Sequence, residues 1–461
     1  MEGCSRFKDL LSAFSKASIR NILHIYEITA VKMRSLRFSV RSIAISIIFF
    51  GVAVILFYYR RGGVVDSIYS SIPGFRDVGI YIRAAQDILA QRNPYGSLDL
   101  SFRSGSFGVL PFALLGQGAL GFLISQVLNL LGFAYFVKVM LGDRLNDNLI
   151  LILLSVGIWF SSLREVFSTG QITGILAGLC AIGFRSLASD SILNSFISAI
   201  SFAVILDLKP NLFIFFVLSC YLFHGKLQKI WFPGSIVLVG HVLVDIYTNS
   251  ILERDWLEVL RVVNNSSSDP SSIGTKTFWS LVTNIFGLDA VSNMLPTISF
   301  LVVGALLLSL LRNRKDINIV CLSLSVPFFY NYFYLYSFTP VALLLIGVSL
   351  LVKSPTSIGL ALPLLLFSGP HFGLLHLLAA LGIGFYFIFI LRFSGCFPHP
   401  SGFGKLFSIS FGTALLLRIG LEFLIQDSFF RQVLVLNFLV ATSFYVHLKD
   451  FFKGQSVPIK S

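Results

Sequence analysis

Charge is scarce in this chain: 12% of its residues are charged, where a soluble domain carries roughly a quarter. That deficit excludes a soluble globule. Cysteine is sparse as well. Cys4, Cys180, Cys220, Cys321 and Cys396 are scattered, with no CxxC and no neighbouring His, which excludes a zinc site or a disulfide framework. No carboxylate pair and no DxD spacing offers ligands to a divalent cation, so no metal and no cofactor is expected. The net charge of +13 would suit nucleic acid, but no basic face interleaved with aromatics exists, and no nucleic-acid partner is expected. No apolar run precedes Ser42, too far in for a secretory signal, so the first span reads as a retained signal anchor. No internal repeat points to the two related halves of many transporters.

What the chain has is hydrocarbon. It is 55% hydrophobic with 47 Phe and a mean hydropathy of +0.83, the composition of an all-α, polytopic transmembrane protein. Basic residues cluster at the ends of apolar runs, where they set topology. Residues 1–41, rich in Lys and Arg, read as a cytoplasmic topogenic segment. Ile43 to Tyr59 is the first span, and runs such as Gly118–Met140, Leu149–Leu163, Ile172–Phe184, Ile192–Leu206 and Trp231–Tyr247 follow. The alternation predicts about 12–14 spans with both termini cytoplasmic, in the plasma (inner) membrane. It leaves two large outer loops, 60–107 and 249–296. Residues 42–353 read as one transmembrane module, and 354–461 as C-terminal helices with a short tail.

The first outer loop holds the stretch from Phe75 to Tyr95. At 100° per residue, Tyr81, Ala84, Ala85, Ile88 and Leu89 form an apolar stripe, the pattern of a helix lying along a membrane surface. Asn93-Pro94 is expected to stop it. Asp77 stands in its first turn, where the helix dipole favours the ionised carboxylate. Arg164, Glu165, Gly170 and Gln171 gather on the same side, as do Asp207, Lys209, Pro210, Asn331, Tyr332 and Tyr334. Charges at membrane depth are costly and mark function, or else anchor a helix end at the interface. Asp87, Asp99 and Asp269 are the other outer acids.

Asp77-x-x-x-Tyr81-x-x-Ala84-Ala85 followed by Asn93-Pro94-Tyr95 resembles the first-loop signature of family 87 of the GT-C glycosyltransferases. These are the polyprenol-phosphate-mannose-dependent α-mannosyltransferases of bacterial lipid glycan synthesis. Gly170-Gln171, Lys209-Pro210, Asn265-Ser266 and Asn331-Tyr332 follow in the family's order. The chain departs from the family pattern at Asn331, where His is frequent, at Thr173, where Asn is frequent, and at Pro111, which stands alone where a proline pair is common.

The resemblance implies that Asp77 is the catalytic base and that the sugar is a hexose, mannose by the family's pattern. The chemistry agrees. Inverting transfer needs one group to take the acceptor's proton, and a lipid phosphate leaves without the second acid that glycosidases require. Lys209 would meet the donor phosphate, or else pair with Asp207. Gln171 and Asn331 would bond sugar hydroxyls, or cap helices. Tyr81, Tyr95 and Tyr332 either line the sugar site or pack their loops, and Arg76 faces phosphate or headgroups. The short cytoplasmic loops leave no room for a nucleotide-sugar domain. The expected partners are a polyprenyl-phosphate sugar, a lipid or glycan acceptor and membrane lipids. The rival reading is a transporter or lipid flippase, whose best foothold is Arg418 and Glu422, one turn apart in an apolar run.

Overall fold

The computed structural model describes residues 44, 46, 48, 76–95, 102, 104–116, 118–141, 147–187, 191–209, 231–252, 255–259, 298–299, 301–306, 335–351, 354–366, 378, 381–385 and 401–452. Every regular element among them is helical. They run α1 (Arg76–Leu89), α2 (Gly118–Leu141), α3 (Asp147–Gly157), α4 (Ser161–Thr169), α5 (Thr173–Leu187), α6 (Ile192–Leu208), α7 (Trp231–Thr248), α8 (Thr339–Leu351), α9 (Pro355–Leu366), α10 (Ser401–Leu424) and α11 (Ser428–Phe452). Short 3-10 turns at Leu110–Leu115 and Leu335–Phe338 join them. The all-α expectation holds. Among the described residues, three helices, over Leu120–Leu141, Trp231–Thr248 and Gly404–Leu424, are long and apolar enough to cross a membrane. The first span and much of the outer segment 249–296 lie outside the described residues.

The expected amphipathic helix forms as α1, with its buried stripe rotated from the one read above. Val78, Ile82, Ala84, Ala85 and Ile88 are buried, whereas Leu89 is 53% exposed and Tyr81 is half-buried. The stripe faces protein, packing against the 3-10 turn, α2 and α7. The helix also stops earlier than Asn93-Pro94. Gln91 takes a left-handed φ of 54°, and Gln91 N–H to Ile88 O (2.9 Å) with Arg92 N–H to Asp87 O (2.7 Å) closes the end. This is the glycine-type helix stop performed by glutamine, so the proline only finds a chain already turned.

The run Leu149–Leu163 is likewise divided. α3 ends at Gly157, and after three residues α4 begins as a separate amphipathic helix carrying Arg164 and Glu165. Polar residues at that point make a continuous apolar helix unfavourable and give the chain a shoulder beside α1.

The middle of the protein is set by how closely α2 and α5 meet. A β-carbon on Gly132 would overlap the carbonyl oxygen of Gly174, and one on Gly178 would stand 2.8 Å from Gly132 Cα. Gly174-x-x-x-Gly178 therefore lays backbone on backbone, the small-residue contact favoured where lipid removes the hydrophobic drive for helix association. α6 packs on the other side of α5, and α7 packs on α6. At the far end α9, α10 and α11 pack together. There Arg418, 1% exposed, bonds Glu422 at 2.7 Å, and Arg431 reaches Glu422 at 3.2 Å. Arg431 also donates to the carbonyls of Glu422 and Ile425. The pair that offered a foothold for transport is thus engaged in a helix-end network.

Candidate active site

α1 opens at Arg76, which puts Asp77 in the first turn, where backbone N–H groups lack helical partners and favour an anion. Asp77 is half-buried; Val78 beside it is buried at 1%. Against this turn lies Gly170, which ends α4 in the left-handed region (φ 70°, ψ 32°). Gln171 N–H closes the turn on Val166 O at 3.0 Å. A β-carbon on Gly170 would stand 3.4 Å from Val78 Cγ1 and 3.4 Å from Phe122 Cε2, so the turn and the start of α1 are in contact through a residue without a side chain.

Asn129, in mid-α2 and fully buried, holds this turn from below. Its Nδ2 donates to Gln171 O at 2.7 Å. Its Oδ1 accepts from the N–H groups of Gly174 (2.9 Å) and Ile175 (3.1 Å). One amide thus fixes Gln171 and caps α5 from a neighbouring helix. Gln171 is itself buried at 4%.

Lys209 arrives from the third side. It ends α6, with its N–H on Ile205 O at 2.8 Å, and its Nζ is buried. Burial pulls its pKa from 10.5 down to about 8, against the opposing fields of Asp77 and Glu165. The ammonium thus lies within the electrostatic reach of two carboxylates, one from α1 and one from α4. The alternative partner, Asp207, is engaged elsewhere. Its Oδ1 lies 2.6 Å from His241 Nε2 of α7, and its Oδ2 accepts the Gly108 N–H at 2.6 Å. Asp207 and His241 are both 2% exposed. The 104–108 turn wraps this helix end, with Gly105 N–H on Asp207 O at 3.0 Å and Ser104 Oγ donating to Leu208 O at 3.2 Å.

The two tyrosines pack. Tyr81 stacks at a tilt on Phe112 (5.4 Å) and edge-on to Phe102 (6.4 Å). Tyr95 stacks on Phe102 at 5.2 Å and its hydroxyl donates to Ser104 O at 2.8 Å. Burial first, then the carboxylates of Asp207, Asp245 and Asp255, hold its phenol far above the ordinary value, so it is a neutral donor. Asp87 pairs with Arg92 at 2.7 Å. Pro210, Asn265, Ser266, Asn331, Tyr332, Asp99 and Asp269 lie outside the described residues.

The structure therefore joins Asp77, the Gly170-Gln171 turn and Lys209, three elements separated by some 130 residues of chain, and adds Glu165 as a second field on the lysine. Two residues were missed by the sequence reading: Asn129 and His241. Each is a strongly polar side chain within an apolar run, and that was the available signal.

Residues 105–329 match the family model for Glycosyltransferase family 87. The chain carries a family 87 glycosyltransferase region. The matched stretch holds α2 to α7, and with them Glu165, Gln171, Lys209, Asp207 and His241; α1 with Asp77 precedes it and Asn331-Tyr332 follows it. The match supports a GT-C-type membrane glycosyltransferase, a class that acts on a sugar donor and an acceptor. No curated protein and no solved structure matches the chain.

Proposed function

We propose that this glycosyltransferase takes a hexose, mannose by the family resemblance, from a polyprenyl phosphate and passes it to a lipid or glycan acceptor. The observation that carries the reading is the buried Lys209 in the joint field of Asp77 and Glu165, inside or beside a family 87 region. Lys209 meets the donor phosphate. Asp77 accepts the proton of the acceptor hydroxyl as that oxygen attacks C1 from the face opposite the phosphate. The C1–oxygen bond to phosphate breaks, the phosphate leaves with the electron pair, and the new glycosidic bond has inverted configuration. Lys209 offsets the charge that gathers on the leaving oxygen, the kind of fixed electrostatic stabilisation that contributes most in a water-poor site.

Gln171 and Asn331 bond sugar hydroxyls, Arg76 contributes positive charge near the phosphate, and Tyr81, Tyr95 and Tyr332 shape the wall of the pocket. The site lies on the extracytoplasmic face, with both termini cytoplasmic. Residues 42–353 form the catalytic module, and residues 354–461 follow it as C-terminal transmembrane helices with a short cytoplasmic tail.

The test is transfer of radiolabelled mannose from polyprenyl-phosphate-mannose to membrane lipids by wild type and Asp77→Asn in parallel. Loss of transfer by a folded, well-expressed variant supports both donor and base. Unchanged transfer removes Asp77 as the base.

A further inference from the structure

A second pair of buried ionisable groups lies two residues from Lys209, and the transfer mechanism above makes no use of it. Asp207 and His241 are both 2% exposed, joined at 2.6 Å between Oδ1 and Nε2. The other carboxylate oxygen takes the Gly108 N–H at 2.6 Å. A β-carbon on Gly105 would overlap that carboxylate, so the 104–108 turn is built around it. The imidazole is backed by Trp256, with ring centres 5.6 Å apart. The residues following α7 are themselves fastened: Asp245 Oδ1 accepts the Leu252 N–H at 2.9 Å, and Asp255 Oδ2 accepts from Asn93 Nδ2 at 2.5 Å.

A buried carboxylate must be satisfied by donors or by a cation. In an Asp-Leu-Lys sequence at a helix end, the nearest cation along the chain is Lys209 itself. Were Asp207 to take it, the ammonium would turn from Asp77 and Glu165. Its affinity for protons would also rise, since an added anion favours the charged form.

We propose that His241 is a positioning residue: by holding Asp207 with Gly108, it reserves the Lys209 ammonium for the Asp77–Glu165 side and for the donor phosphate. The assignment of the phosphate to Lys209 rests on the proposed function; the division of charge between the two sides does not. His241 touches no reacting atom. It acts through Asp207, and its substitution is felt as a misplaced lysine.

Two readouts separate these layers. The first is the titration of Lys209, followed by NMR on the full chain in detergent with biosynthetically incorporated ¹³Cε-lysine, with Lys209→Arg identifying the resonance. His241→Leu, which leaves Asp207 without its partner, raises the Lys209 midpoint well above the wild-type one. His241→Gln, whose amide donates from nearly the same place as Nε2, keeps the wild-type midpoint. Should His241→Leu not fold, His241→Asn takes its place, polar but too short to reach Asp207 Oδ1. The second readout is KM and kcat for the polyprenyl-phosphate sugar. The Leu variant raises KM by about tenfold, the effect expected when a hydrogen bond to a charged group is lost, and the Gln variant restores it.

A Lys209 midpoint in folded His241→Leu equal to that of wild type overturns the proposal. Equal damage by Leu and Gln also overturns it, because that is the mark of packing alone. If wild type transfers no sugar from the polyprenyl phosphate while the Lys209 midpoint still moves in His241→Leu, the positioning role stands and the donor assignment falls.

Discussion

Gly170 faces Val78 across the site: a β-carbon on Gly170 would come into ordinary contact with it, 3.4 Å from Val78 Cγ1 and 3.7 Å from its backbone nitrogen. The residue that follows Asp77 thus rests on the turn that presents Gln171. Any change in the turn is passed to the first turn of α1, and with it to the carboxylate.

Gly170 is at φ 70°, where an L side chain costs about 1–2 kcal/mol. Gly170→Ala is expected to lower stability by about that amount and to reduce transfer beyond what the loss of folded protein explains. Gly170→Asn, which tolerates the left-handed region, is expected to lose less stability than Ala. Thermal unfolding in detergent, read beside transfer by the same preparations, checks both. An Ala variant with full specific activity would disconnect the turn from Asp77.

Asn129 makes three hydrogen bonds to the turn and to the start of α5. Asn129→Ala leaves two N–H groups and one carbonyl to find new partners in a buried place, a loss of about 1–3 kcal/mol. Asn129→Asp keeps the acceptor for Gly174 and Ile175 but sets an anion against Gln171 O, and it is expected to be no better than Ala. Unfolding curves decide the ranking. A rise in KM for the sugar donor in the Ala variant would extend the role of Asn129 from stability to presentation of Gln171.

The sequence shows how far such a site can be read and where reading stops. Asp77 in a first turn and Lys209 at a helix end were visible because helix starts and stops follow local signals, and the apolar runs that became α2, α5, α6 and α7 carry their own boundaries. The partners were not visible. That Lys209 would lie with Asp77 and Glu165, while Asp207 turned to His241, depends on how α6 meets α7 and the 104–108 turn, contacts made across 34 and 99 residues of chain. The stop of α1 was misread for a related reason: Pro94 announces itself, whereas Gln91 adopts a conformation that its residue type rarely takes. The α1 stripe is rotated because the 3-10 turn, α2 and α7 cover only one side of the helix, which leaves Leu89 exposed and Tyr81 half-buried although both are apolar.

The α2–α5 contact gives a sharper stability test. Backbone stands on both sides of Gly132 and Gly174, since a β-carbon on Gly174 would overlap the Asn129 carbonyl oxygen. Backbone cannot yield as a flexible side chain does, so Gly174→Ala must push the helices apart. A cost at the upper end of the roughly 1–3 kcal/mol of overpacking is expected, with further loss because Asn129 then misses the α5 N–H groups. Gly234→Ala, inside α7 where a β-carbon meets nothing within 4 Å, is the matched control and is expected to gain up to about 1 kcal/mol from helix propensity. Folded yield and unfolding temperature of the two variants check the contrast.

Lys209 links pH to stability and activity in opposite senses. Burial lowers its pKa from 10.5 to about 8 in the folded protein, so between these values the unfolded chain binds more protons than the folded one. Stability therefore rises with pH across that window, as the buried ammonium gives up its charge, and below about 8 the cost of burying that charge is fully present. Activity runs the other way if the ammonium holds the donor phosphate: it falls as pH passes through about 8, chiefly through KM. Lys209→Arg keeps a cation at every accessible pH and is expected to remove the alkaline fall in donor affinity, at some loss of rate from its different geometry. Lys209→Met is expected to lose donor binding at every pH while gaining stability below about 8. A wild-type KM that stays flat from pH 7 to pH 9.5 would remove the Lys209 charge from donor binding, because no other assignment of its role predicts a fall in that window alone.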